Sequence, residues 1–208
     1  MPLAVPALLA ALASVAGCGL AADPPAGSVA EAVPERLRPD EPLPDGVTIV
    51  AEAPPETAEV DGVVYDYRGA VRAVLNLHAA LLRGEYTGGA DTSALDRTHE
   101  GSPAADHVRE RLAAAPDGPA PAGGYVLYGF EVGGYAPDLL QVDACLDRGR
   151  APASGAPATG GRGESSGPGP GDVLWVGHTM RPDDAGAWRA AVVEAIPVGN
   201  DPGHHCAR

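Results

Sequence analysis

Between residues 60 and 83 the apolar side chains recur at helical spacing: Val60, Val64, Tyr67, Val71, Val74, Leu75, Leu81 and Leu82. Steps of three and four residues put them on one stripe of a helix, and Gly84 with Gly88-Gly89 punctuates its end. A short second helix is predicted near residues 93–99. A third starts at Ser102-Pro103, where the serine hydroxyl caps the first turn and the proline takes a position whose N–H has no helical partner. It carries Val108, Arg109 and Leu112 and stops before Pro116. Past a Pro/Gly loop the period changes to two. Tyr125 to Val132 (Y-V-L-Y-G-F-E-V) has the aromatic and β-branched content of a strand. In the next strand Leu140, Val142, Ala144 and Leu146 alternate with Gln141, Asp143, Cys145 and Asp147, which predicts one buried face and one wet face. Asp172 to Met180 and Trp188 to Val198 make two more. Helices followed by a run of strands predict an α+β fold, with N-terminal helices packed on a curved antiparallel sheet of about four strands.

Two stretches follow neither period. Residues 149–171 are low complexity (A-P-A-S-G-A-P-A-T-G-G-R-G-E-S-S-G-P-G-P-G) and read as a flexible loop. Residues 18–57 contain D-P-P-A-G, R-P-D-E-P-L-P-D-G and A-P-P-E-T, the pattern of a disordered, extended polar tether. Only Val47-Thr48-Ile49-Val50 has strand character there. The globular domain is accordingly expected over residues 58–208.

The chain begins differently. Residues 3–17 carry no charge and are mostly Ala, Leu and Val. That run is shorter than the about 20 residues a membrane-spanning helix needs, and it fits a signal-peptide apolar region of about 7 to 15 residues. It ends in Val15-Ala16-Gly17-Cys18, which resembles the bacterial lipobox. The resemblance implies that residues 1–17 are a cleaved leader. Cys18 would take a diacylglycerol, and the protein would be held outside the cytoplasm by a lipid anchor in the cell membrane.

Charge and cysteine content narrow the function classes. There are 14 basic residues, all arginine, against 28 acidic ones, for a net charge of -14. Phosphate binding needs clustered cations, so nucleic acid is not an expected partner. With Cys18 lipidated, Cys145 and Cys206 remain as a pair. Outside the cytoplasm such a pair is normally oxidised, the other possibility being two separate thiols.

The candidate chemistry is sparse. Asp143 and Asp147 share the wet face of their strand, where a solvated role outweighs a catalytic one. His178 lies on the side of Leu174, Val176 and Met180, as a satisfied or rim histidine more readily than a base. His204-His205-Cys206 brings imidazole and thiol together, but neighbours in an extended chain point opposite ways, and zinc takes three or four ligands. No metal site or cofactor is therefore assigned. No G-x-S-x-G occurs, Ser165-Ser166 falls in the low-complexity loop, and Gly123-Gly124 and Gly160-Gly161 lack the lysine of a phosphate-binding loop. Tyr125, Tyr128, Phe130 and Trp175 could line a small-molecule pocket, but they read as core first.

The order of these features resembles a known group. A helix ends in a Gly-rich turn, and a second has an Arg-rich end. A strand follows with V-x-x-C-x-D (Val142, Cys145, Asp147), then a variable loop. G-x-W-x-x-x-x-x-E (Gly186, Trp188, Glu194) and a near-terminal Cys206 close the chain. Over about residues 60–206 this is similar to actinobacterial secreted proteins and lipoproteins with the cone-shaped fold of nuclear transport factor two-like proteins. The resemblance implies a bridge between Cys145 and Cys206 that staples the sheet to the C-terminal end. It also implies either a non-catalytic binding module, for a small molecule or an envelope protein, or an isomerase- or cyclase-like enzyme. A metal-binding C-terminal tail is the third expectation. The lack of a catalytic constellation favours the non-catalytic module.

Overall fold

The computed structural model describes residues 35–115, 123–136, 138–148, 173–198 and 204–206. The expected leader, Cys18, the tether as far as residue 34 and the loop 149–171 lie outside the described residues.

The architecture is α+β. Strands β1 (Arg36–Leu37) and β2 (Val47–Glu52) come first, then a hairpin of β3 (Thr57–Val60) and β4 (Val63–Asp66). Helix α1 (Tyr67–Tyr86) follows, then a single turn at Leu95–Arg97 and helix α2 (Pro103–Ala113). The chain finishes with β5 (Gly123–Ala136), β6 (Leu139–Asp147), β7 (Val173–Pro182) and β8 (Trp188–Pro197). Six strands form one sheet in the order β1-β2-β5-β6-β7-β8, and β3-β4 stands apart as a two-stranded ribbon.

Two differences from the sequence pattern have clear causes. The helical stripe that begins at Val60 is not helical until Tyr67. Val60-Asp61-Gly62-Val63 is a hairpin turn, with Asp61 and Gly62 at φ of 51° and 81°. Both angles are positive, as the tight hairpin turn of an Asp-Gly pair requires. The Asp66 side chain then accepts the Gly69 N–H at 2.9 Å and starts the helix. At α2 the expected cap forms, with Ser102 Oγ accepting from the Ala105 N–H at 3.2 Å.

The second difference concerns the sheet, which is mixed and six-stranded rather than antiparallel and four-stranded. β5 to β8 are antiparallel as expected, but β2 joins β5 in parallel, Val47 opposite Gly123 and Ala51 opposite Leu127. V-T-I-V-A-E alternates, burying Val47, Ile49 and Ala51 and turning Thr48 outward, so it covers an edge of β5 that would otherwise be open. Part of the stretch read as tether thus belongs to the sheet. The prolines Pro39, Pro42 and Pro44 lie in the connection between β1 and β2. Polar contacts tie that connection to the helical layer. Asn76 donates to Asp40 Oδ2 at 2.7 Å, and Glu41 pairs with Arg83 and Arg97, each at 2.5 Å.

The core lies between the helices and the inner face of the sheet. Val71, Val74, Leu75 and Leu81 of α1 and Val108 of α2 meet Leu127, Leu140, Val142, Val176 and Met180, all essentially without exposure. Among the described residues no helix is long and apolar enough to cross a membrane.

The outer face of β6 is not simply wet. Cys145 is disulfide-bonded to Cys206, 61 residues on. The tail lies over it, and Tyr128, Cys145 and Cys206 form a second small core flanked by Val126 and Trp175. The Tyr128 hydroxyl donates to the Cys206 carbonyl at 2.8 Å. The alternation of β6 shows only which residues share a face, and a distant segment decides whether that face is covered.

Candidate functional site

The functional candidate is a cavity of about 250 Å³ between the two helices and the inner face of the sheet. α1 supplies His78, Leu81, Leu82 and Glu85, and α2 supplies His107 and Arg111. The sheet adds Ile49 of β2, Tyr125 of β5, Leu146 of β6, Leu174 of β7 and Ala195 of β8, with Arg148 just beyond β6. Apolar walls with a few converging polar groups are what small-molecule sites generally show.

A buried pair of histidines dominates the polar part. His78 continues the stripe of Val71, Val74 and Leu75, one turn before Leu81 and Leu82. His178 projects from the inner face of β7. Their Nε2 atoms are 3.1 Å apart and the rings meet edge to face at 80°. His178 Nδ1 lies 3.3 Å from the Val142 carbonyl. A carbonyl only accepts, so His178 carries its proton on Nδ1 and its Nε2 accepts from His78. His78 is then protonated on Nε2 alone, and its Nδ1 keeps a lone pair with no partner among the described residues.

Burial holds both rings neutral. It pushes His178 down to about 4, against the pull of the Val142 carbonyl, with His107 adding repulsion. His78 lies well below the usual imidazole range, again through burial first, then through His178, Arg111 and His107. His107 is lowered by burial and by Arg111. At the rim Arg111 pairs with Glu85, while Arg148 is exposed and has no ion-pair partner among the described residues. Burial and Glu85 raise the Tyr125 hydroxyl.

Of the residues singled out in the sequence, His178 is satisfied, and its partner is His78. The aromatic set divides. Tyr125 lines the cavity, Phe130 packs against the main core, and Tyr128 and Trp175 lie on the outer face with the disulfide. Asp143 is half-buried and takes a 2.6 Å hydrogen bond from Gln141. Cys145, His205 and Cys206 converge within 4.8 Å. The two sulfurs are bonded to each other, so neither is a thiolate ligand. His204 and His205 stack at 4.5 Å, and His204 Nδ1 accepts the Cys206 N–H at 3.1 Å. His78, His107, Glu85 and Arg111 were not singled out. The available signal was a histidine inside an apolar helical stripe, N-L-H-A-A-L-L, which by itself reads as core.

No protein-family model, curated protein or solved structure matches this chain.

Proposed function

We propose that the protein is a lipid-anchored extracytoplasmic binding module whose cavity takes a small organic molecule, without catalysis. The observation that carries the binding reading is the cavity itself, with apolar walls, a neutral histidine that keeps an acceptor lone pair, and arginines at the rim. The anchor rests on Val15-Ala16-Gly17-Cys18, and extracytoplasmic placement accords with the Cys145–Cys206 disulfide. The cone-like family resemblance supports a cavity on the helical side of the sheet.

The test of the cavity is a thermal-shift screen of small molecules on the purified protein, repeated with Leu82→Trp. Compounds that raise Tm for the wild type and not for the cavity-filling variant support the reading. Compounds that act equally on both refute it. Intact mass from a membrane fraction tests the anchor, which requires a chain beginning at Cys18 and carrying a diacylglycerol.

A second reading, an isomerase- or cyclase-like enzyme, draws on the His78–His178 pair, an oriented imidazole at a cavity wall. The low pKa of His78 makes it a weak base at neutral pH, away from the optimum for proton transfer, and this ranks the enzyme second. Turnover that His78→Gln abolishes while ligand binding survives would reverse the order.

A further inference from the structure

We propose that the outer face of the sheet, opposite the cavity, carries a binding site for a neutral saccharide, with Trp175 as its platform. The register of β6, β7 and β8 sets out the site in rows. Gln141 stands beside Thr179; Gly177 stands between Asp143 and Glu194, and Trp175 between Cys145 and Ile196. Gly177 is the centre. A Cβ there would stand 2.7 Å from Trp175 Cη2, 3.1 Å from Asp143 Oδ1 and 3.2 Å from Gln141 Nε2. The indole edge, a carboxylate and an amide therefore converge over one glycine, in space that any other residue would fill.

The polar groups are already ordered. The Thr179 hydroxyl donates to Gln141 Oε1 at 3.0 Å, and Gln141 Nε2 donates to Asp143 Oδ1 at 2.6 Å. This chain of donors ends on a carboxylate, which has acceptor capacity for further partners. Burial raises the Asp143 carboxyl above its usual range, and Glu131 and Glu194 add to the rise. Gln141 and His205 pull the other way, and the half-buried carboxylate keeps lone pairs that a hydroxyl could donate to. The groups line an open depression of about 550 Å³.

Ligand chemistry follows from this combination. A pyranose offers a C–H face that packs on an indole and a rim of hydroxyls that donate to carboxylate and amide oxygens. A purely apolar ligand would strip water from Asp143 and Gln141 without replacing its hydrogen bonds, which is costly. An acidic saccharide would meet Asp143 and Glu194 with like charge. The site is thus matched to a sugar without acidic groups.

The experiment uses Trp188→Phe, which leaves Trp175 as the sole tryptophan. Its fluorescence is titrated with cellohexaose, with an oligogalacturonate and with a chitosan oligomer. Cellohexaose should change the emission and saturate with a Kd of about 1 mM. Asp143→Asn and Gln141→Ala, whose folding is checked by circular dichroism, should each weaken binding about tenfold. Trp175→Ala, followed by calorimetry, should abolish it. Absence of a cellohexaose response, binding unaffected by Asp143→Asn and Gln141→Ala, or tighter binding of either charged oligomer would overturn the proposal. Because the cavity lies on the other face, Leu82→Trp should leave cellohexaose binding unchanged, and loss of binding in that variant would also overturn it.

Discussion

Acid should unfold this protein in a pH window set by its two buried histidines. In the unfolded chain an imidazole takes its proton near 6.5, whereas folded His178 does so at about 4. Between those values the unfolded state binds more protons, so stability is lost as pH falls. A gap of that size, at about 1.4 kcal/mol per unit, costs about 3 kcal/mol by pH 4, of which about 2 kcal/mol is gone at pH 5. His78 is displaced in the same direction and steepens the slope, and half-buried His107 adds a smaller slope of the same sign. Asp143, whose carboxyl burial raises, binds its proton more readily when folded and offsets part of this loss at the acid end of the window, whereas Asp183 acts elsewhere. The hydrogen bond from Arg189 holds Asp183 below the usual carboxylate range, so its loss comes at lower pH. Urea unfolding at pH 7, 6 and 5 is the assay. With an m-value of about 2 kcal/mol/M, His178 alone should lower the midpoint by about 1 M between pH 7 and pH 5, and His78 and His107 add to that fall. His178→Leu alone leaves the His78 Nε2–H unpaired in the core and should cost about 1 to 3 kcal/mol at pH 7. His78→Leu combined with His178→Leu removes both polar groups, and most of the pH slope should disappear. A wild-type midpoint that stays flat from pH 7 to pH 5, or a double variant that keeps the full slope, would refute the neutral buried pair.

Three other outcomes follow from the packing. Gly84→Ala, a change that normally favours a helix by about 1 kcal/mol, should destabilise by about 1 to 3 kcal/mol, because its Cβ would stand 2.3 Å from Leu112 Cδ2 and 2.7 Å from the Asp91 carbonyl oxygen; a gain in urea midpoint contradicts this. Replacing Cys145 and Cys206 by serine opens a link across 61 residues and should cost up to about 4 kcal/mol in the chain-entropy account, and a Tm indifferent to reductant would contradict it. Ser102→Ala removes the cap of α2 and should lower stability by about 1 kcal/mol, read by denaturant titration.

Local signals in the sequence were reliable where the chain itself supplies the partner. Ser102-Pro103 marks the start of α2, and the alternation of Leu140 to Asp147 matches β6, because a cap and a pleat are set by neighbours. Asp61-Gly62 was equally local, but the spacing of Val60, Val64 and Tyr67 satisfies a helix as well as a hairpin with a following helix. What the pattern leaves out depends on distant pairing. Val47–Glu52 becomes an interior strand only because β5 offers a parallel edge. His78 and His178 are 100 residues apart, and each alone reads as a histidine on an apolar face. The Trp175 platform likewise requires three strands in register, which no single strand announces.

The parallel pairing of β2 with β5 also bears on when the domain can close. Val47 leaves the ribosome well before its partner Gly123, a delay of roughly 4 to 15 s at ordinary synthesis rates. Until then β2 has only the two residues of β1 to pair with. β5 to β8 pair in chain order and need nothing from β2, whereas the segment that carries β1 and β2 must close a long loop to reach β5. β2 thus waits for a partner made much later, and β5 presents an open edge, ready to capture the same segment from a second chain, for as long as that seat is empty.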